Sequence, residues 1–299
     1  MIVRNTPSFR DVLIATRGSI LPQILRPLLV VLAASAIAVL IGQAAPSWLA
    51  PLHAMPFTLI GLSLSIFMSF RNTVCYNRWW EGRQLWGRLI VAARSFARQT
   101  ATLERAHAAP LLETLAGFTA GLAARLREED EVAAIARHAA RDAEWTGAPN
   151  PTDAVLRAVG MGCRALADAR AIDAIHYSVL ETQLSEMASV QGGCERIKAT
   201  PVPFSYSLLL HRTAYAFCLL LPFALVPQLG LWAPFPAFLV AYAFFGLDAL
   251  GDQLSDPFGR DENDLPLAAM VRTIERDLLH AAGHRDLPPV LEPDGYVLT

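Results

Sequence analysis

Two long uncharged stretches divide the chain. Residues 27–70 contain no Asp, Glu, Lys or Arg over 44 positions, and 213–247 contain none over 35. A membrane-spanning helix needs roughly 20 apolar residues. The first stretch therefore predicts two spans joined by a turn at QAAPSWLAPLHAMP, residues 43–56, which holds three prolines and places Trp48 at interface depth. The second predicts two spans if both are short, or if the first begins near Tyr206 and takes in Arg212; Pro222, Pro227, Pro234 and Pro236 mark its turn around QLGLWAP.

Between the stretches the pattern changes. Residues 71–204 carry charges of alternating sign on helical periods. Leu111, Leu112, Leu115, Phe118, Leu122 and Leu126 predict one helix, and Val132, Ile135 and Ala139 begin another. GAPNPTD, residues 147–153, predicts a loop with Thr152 or Asp153 capping the next helix. A further helix is predicted over Ala169 to Val190, with Ile172, Ile175, Val179 and Leu180 apolar and Asp173, Glu181 and Glu186 acidic. Gly192 and Gly193 read as a helix end, and another helix is expected from Leu267 to about Leu279. No strand alternation and no internal repeat is visible.

The predicted fold class is an all-α membrane protein with four transmembrane helices and a helical domain outside the bilayer. The expected divisions are an amphipathic N-terminal segment (1–26), a transmembrane hairpin (27–70), a helical domain (71–204), a second hairpin (205–250), and an acidic loop, helix and tail (251–299).

The chain is organised around Met55 to Leu89, apolar to Phe70 and charged from Arg71 onward. Pro56 suits a helix start, and no proline follows until Pro110, so one helix is expected to leave the bilayer and continue into water. Leu62, Ile66 and Phe70, four apart, share one face. Gly61, Ser63, Ser65 and Ser69 are small enough for close packing in lipid. The stripe fits a pore-lining helix; by spacing alone it fits a lipid-facing or bundle-core seam better, since such seams are the commoner source of this pattern.

Composition supports the membrane reading: 17% of residues are charged, against about 25% in soluble domains. A net charge of −2 gives no reason to expect nucleic acid as a partner. Cys75, Cys163, Cys194 and Cys218 are scattered without a CxxC, as expected of free thiols in a reducing compartment. The first residues mix acid and base and do not read as a signal peptide. Both apolar turns lack Lys and Arg, whereas the N-terminus, middle block and C-terminus are arginine-rich, which places those three on the cytoplasmic side. HExxH, GxSxG, Walker and GxGxxG motifs are missing, so an enzyme is not expected. The uncharged stretches hold no ionisable residue except His53, which argues against an ion-coupled carrier.

Three blocks carry a resemblance: FRNTVCYNRWWEGRQLWG (70–87), GGCERIKATPVPFSYSLLLHRT (192–213) and DPFGRDENDLPL (256–267). Their residues and order resemble the bestrophin family, specifically its bacterial homologues, over nearly the whole chain. The resemblance implies a homopentameric ion channel, five subunits around one axial pore in the bacterial inner membrane, with both termini cytoplasmic and lipid and permeant inorganic ions as further partners. Aligned on Arg78, Trp79 and Trp80, it implies that Leu62, Ile66 and Phe70 form the pore neck. A cytosolic constriction is expected on the Ala169 to Val190 helix, at Leu180. In animal members an equivalent acidic loop clasps calcium, so Gln253, Asp256, Asp261, Asn263 and Asp264 are the expected ligands for calcium or another divalent cation. The loop departs from that pattern at Asn263 and Arg260. The competing reading is a structural loop in which Asp264 caps the following helix. His211 and Arg212 read as headgroup anchors.

Ion choice stays open at this level. Arg71, Arg78 and Arg83 follow the neck and favour anions, unless they are paired with acids; Asp173, Glu181 and Glu186 favour cations if they face the axis. The expected activity is passive conduction of chloride-type anions, with monovalent cation conduction the alternative and a secondary carrier the more distant one.

Overall fold

The structure is a computed structural model and describes residues 1–3, 18–140 and 143–299. The helices, in chain order, are α1 (Leu21–Ala44), α2 (Pro46–Leu49), α3 (Ala54–Thr100), α4 (Arg105–Leu126), α5 (Glu131–Ile135), α6 (Ala143–Thr146), α7 (Pro151–Asp168), α8 (Ala174–Ala199), α9 (Phe204–Leu229), α10 (Pro234–Ser255) and α11 (Leu267–Ala281). Among the described residues β-structure is limited to isolated bridges, Ile2 with Val297 and Asp294 with Val297.

The chain forms two compact units. One comprises Asn5–Arg78 and Pro201–Ser255; the other comprises Met1–Arg4, Trp79–Thr200 and Asp256–Thr299. The divisions fall after Arg78 and Ser255 rather than after Phe70 and Leu250, because the helices continue past the last apolar residue. Of the expected N-terminal amphipathic segment, 4–17 lie outside the described residues. Its last part, from Leu21 through Arg26, belongs to α1 and extends the first span.

The first unit holds the membrane-type helices. Leu21–Ala44, Ala54–Thr100, Phe204–Trp232 and Pro234–Ser255 are each long and apolar enough to cross a membrane. The third span takes in Arg212, the second of the two options read from the sequence. Ile24, Leu28 and Val31 of α1, Leu64 and Met68 of α3, Leu210, Ala214 and Phe217 of α9, and Phe244 of α10 form its core. Phe217 and Phe244 meet edge to face at 5.5 Å, a favoured aromatic geometry. Hydroxyls in these helices are satisfied locally: Ser35 Oγ donates to the Val31 carbonyl and Ser65 Oγ to that of Gly61, each at 2.8 Å.

The second unit is built around α4, which is buried nearly all round from Leu111 to Leu126. A helix apolar on every face belongs inside a protein. Its glycines let neighbours close in: a Cβ on Gly121 would sit 2.7 Å from Ile135 Cγ1 and 3.0 Å from Thr152 Oγ1. Phe96, Val155, Leu184, Met187 and Ile274 complete this core.

Local structure departs from expectation at three points. Asn150, not Thr152 or Asp153, caps α7, its Oδ1 accepting from the Asp153 amide at 3.1 Å; Thr152 instead donates to Glu131 at 2.9 Å. The helix expected from Ala169 begins at Ala174, because Arg170 at φ +60° breaks the chain there and Asp173 caps the new start through the His176 amide at 2.7 Å. Gly192 and Gly193 do not end α8, which runs on to Ala199. A Cβ on Gly193 would lie 2.9 Å from Leu85 Cδ2, so this glycine serves close approach to α3 rather than termination. All four cysteines are free and buried; burial pushes the Cys163 thiol up to about 11 and that of Cys194 to about 12, which makes both inert.

Candidate functional site: an apolar helix face and a buried charge cluster

The membrane-type part of α3 has two opposed faces. Leu64, Met68, Arg71 and Cys75, spaced four, three and four, are buried in their own unit. Leu62, Ile66 and Phe70 are 59%, 48% and 61% exposed. Residues 62 and 64 are two positions apart, about 200° around a helix of 3.6 residues per turn, so the exposed stripe points away from the core.

Apolar grooves flank the stripe on both sides. One, of about 380 Å³, runs between Ile60, Ser63 and Phe67 of α3 and Tyr206, Leu209 and Thr213 of α9. The other, of about 520 Å³, runs between Ser65, Ser69 and Tyr76 of α3 and Val240, Phe244 and Leu247 of α10. Ser63 and Ser69 both occupy groove walls, so small residues keep the two sides open.

The residue after Phe70 turns inward. Arg71 is fully enclosed; its Nη1 donates to Asp248 Oδ1 at 2.9 Å and to the Asp248 carbonyl at 3.2 Å, and its Nη2 pairs with Asp252. His211 of α9 completes the cluster: Nδ1 meets Asp248, and Nε2 lies 3.5 Å from Asp252 Oδ2. Asp248 and Asp252 sit one turn apart on α10, and Gly251 between them lets the guanidinium approach; a Cβ there would be 3.0 Å from Nη1. Among the described residues, His211, Asp248 and Asp252 are the one group of three ligating side chains close enough to share a metal ion. The Arg71 guanidinium bridges both carboxylates, and no metal is assigned there. His211 is therefore a cluster member rather than a headgroup anchor, and Arg71 is enclosed and paired rather than presented to ions. Arg78 is also engaged, its Nε donating to the Ser255 carbonyl at 3.0 Å.

The three sequence blocks meet within the second unit. Trp79 Nε1 donates to the Asn263 carbonyl at 3.0 Å. Gly82 faces Phe258 and Leu265, where a Cβ would stand 3.1 Å and 3.3 Å from their side chains. Lys198 Nζ pairs with Asp256 Oδ2 at 2.7 Å, and Arg196 with Glu81 at 2.5 Å. The acidic loop is thus a packed structural element. Asp264 is buried and its Oδ2 accepts from the Asp261 amide at 2.7 Å; it does not cap α11, whose N-terminal flank is Pro266 with no side-chain cap. Burial raises the Asp264 carboxyl to about 7. Of the five expected calcium ligands, Asp256 pairs with Lys198, Asp264 accepts from a backbone amide through Oδ2 while its Oδ1 is buried without a hydrogen-bond partner, and Gln253 belongs to the other unit.

These features can be set beside known proteins. A family model described as Bacterial/Fungal Bestrophin protein matches residues 1–280. The chain belongs to the bestrophin family. It is 39% identical over 296 residues to the voltage-dependent anion channel-forming protein mll4386 of Mesorhizobium japonicum, covering 98% of this chain and 95% of that one. It is 36% identical to the voltage-dependent anion channel-forming protein YneE of Escherichia coli K12, covering 81% of each. The crystal structure of a bacterial bestrophin homolog from Klebsiella pneumoniae superposes with a TM-score of 0.85 at 38% identity, covering 88% of this chain and all of that one.

Within this bestrophin, Leu180 is misplaced as a constriction. It is completely enclosed in the core of its own unit, and a side chain enclosed by its own subunit cannot narrow a shared pore. On the same helix Ile175 is 77% exposed and Val179 is also exposed. Sequence reading also missed Asp248 and Asp252. Their signal was present: three charges, Arg71, Asp248 and Asp252, lie within five residues of the ends of the two uncharged stretches, and charges entering a low-dielectric layer must find one another.

Proposed function

We propose that this bestrophin conducts anions passively through a pore shared by a homopentameric ring of subunits, with Leu62, Ile66 and Phe70 forming its neck. The observation that carries the reading is the exposed apolar stripe on α3, opposite its buried face and flanked by grooves. A ring needs a different surface on each side of every subunit, and the two grooves supply such surfaces beside the stripe. Rings of Leu, Ile and Phe offer no hydrogen bonds to an ion. Removing an ion from water into such a layer costs of order 20 kcal/mol, so conduction depends on the width and wetting of the neck. The names of the relatives favour anions, and chloride is the anion of the test below.

The lower constriction is assigned to Ile175 instead of Leu180. Both ends of the chain belong to the helical unit, and the Met1 amino group donates to the Leu298 carbonyl at 2.5 Å. This supports a topology with both termini on one side, the cytoplasmic side of a bacterial inner membrane.

The test is planar-bilayer recording of the purified protein in asymmetric sodium chloride, with its mass measured in detergent. A reversal potential at the chloride equilibrium and a pentameric mass are expected. Ile66→Ala widens the neck and raises conductance or open probability. Reversal at the sodium equilibrium would replace the anion reading with a cation channel, slow saturable flux without unitary steps would indicate a carrier, and a monomer would remove the shared pore.

A further inference from the structure

Away from the neck, in the helical unit, a cleft of about 620 Å³ opens between α4, α5 and α11. Its volume is that of a small-molecule site. The sequence creates it by using alanine where larger side chains would fill it: Ala120, Ala123 and Ala124 on α4 and Ala133 and Ala134 on α5 face the space. Val271 and Leu291 add apolar surface. Charged side chains surround this floor.

The acids around the cleft are engaged. Glu275 Oε2 accepts from Arg272 Nε at 2.7 Å, and its Oε1 lies 3.5 Å from His138. Glu129 pairs with Arg260. Asp130 caps α5, accepting from the Ala133 amide at 2.9 Å. Two cations are left over. Arg127 and Arg137 line the cleft, and among the described residues neither forms an ion pair; the Arg127 Nε is buried without a hydrogen-bond partner. Glu128, at φ +58°, turns the chain immediately after Arg127. Burial, and then the charge of Arg260, hold the Arg127 guanidinium below its ordinary value. A half-buried guanidinium beside another cation, with an unsatisfied N–H, is an arrangement that an anion would complete.

We propose that this cleft binds a small phosphate-bearing anion, the phosphate held by Arg127 and Arg137 and the remainder lying on the alanine floor. Planar guanidinium groups recognise phosphate oxygens bidentately, and the apolar floor favours an organic phosphate ester over the inorganic ion. The source is either a soluble ester or a phosphate-monoester lipid headgroup. The inference is independent of the pore assignment.

Calorimetric titration of the full-length protein in nanodiscs tests it, with inorganic phosphate and glycerol 3-phosphate as probes, and with phosphatidic acid placed in the disc as a third arm. Saturable binding of glycerol 3-phosphate, tighter than that of phosphate, is expected. Loss of one charge-assisted contact in Arg127→Gln should weaken it roughly tenfold or more. Competition by phosphatidic acid would identify the lipid as the source; indifference to it would identify the soluble ester. If Arg127→Gln folds poorly, the wild-type protein answers instead: phosphate esters should protect Arg127 and Arg137 from an arginine-specific dicarbonyl reagent, read by mass spectrometry. No saturable binding to any probe, no protection, or unchanged affinity in a folded Arg127→Gln would overturn the proposal.

Discussion

Arg71 and Asp248, 177 positions apart, form a buried ion pair with 2.9 Å between Nη1 and Oδ1. The pair joins α3 to α10 one residue beyond Phe70. It thereby sets the rotation of the helix whose opposite face carries Leu62 and Ile66.

Breaking that pair from one side leaves an uncompensated buried charge, which costs about 3–5 kcal/mol. Arg71→Gln and Asp248→Asn should each destabilise the protein on that scale. The double variant should lose less than the sum, because each change removes the partner the other strands. Thermal unfolding in detergent measures the cycle. Strict additivity would show that the two side chains do not act as a pair.

Leu180 and Ile175 lie on one helix but have different surroundings. Leu180→Ala removes a fully enclosed side chain and should cost roughly 2–5 kcal/mol through the cavity it leaves. Ile175→Ala removes an exposed one and should leave stability nearly unchanged, while altering conductance as expected of a constriction. Equal stability losses, or currents altered only by Leu180→Ala, would reverse the assignment.

The adjacent glycines of α8 make a paired comparison. Gly192 has nothing within 4 Å of its would-be Cβ, so Gly192→Ala should stabilise by about 0.5–1 kcal/mol through helix propensity. Gly193 abuts Leu85, so Gly193→Val should destabilise by about 1–3 kcal/mol through overpacking. Denaturant titration of both would show whether Gly193 is there for contact; a harmless Gly193→Val would argue that it is not.

Asp264 predicts a pH dependence. Its carboxyl, raised by burial from 3.8 to about 7, keeps its proton in the folded state where the unfolded chain has lost it. The folded state then binds more protons, so stability falls as pH rises from about 4 to about 7 and levels off above. The upper bound is on the order of 4 kcal/mol. Asp264→Asn removes the titration and should flatten the stability profile across that window. An identical profile in the variant would mean that Asp264 titrates normally.

Some properties of this bestrophin are local and were therefore legible in the sequence. Chain hydropathy over 20-residue windows determines which helices suit a bilayer, and those windows located the spans. Helical spacing put Leu62, Ile66 and Phe70 on one side of α3, and the three sequence blocks carried the family. Which side of a helix faces inward is not local. Leu180 and Ile175 are both apolar residues of α8, and only the packing of α8 in the second unit's core buries one and exposes the other. Glycine is likewise ambiguous in one dimension: Gly193 looks like a stop until Leu85 is seen against it. The fate of Arg71 was decided in three dimensions alone. A charge at the end of an apolar run can face water, lipid headgroups or a pore. Its enclosure depends on Asp248, Asp252 and His211 arriving from helices far along the chain, since burial of a charge is tolerated only where its partners converge.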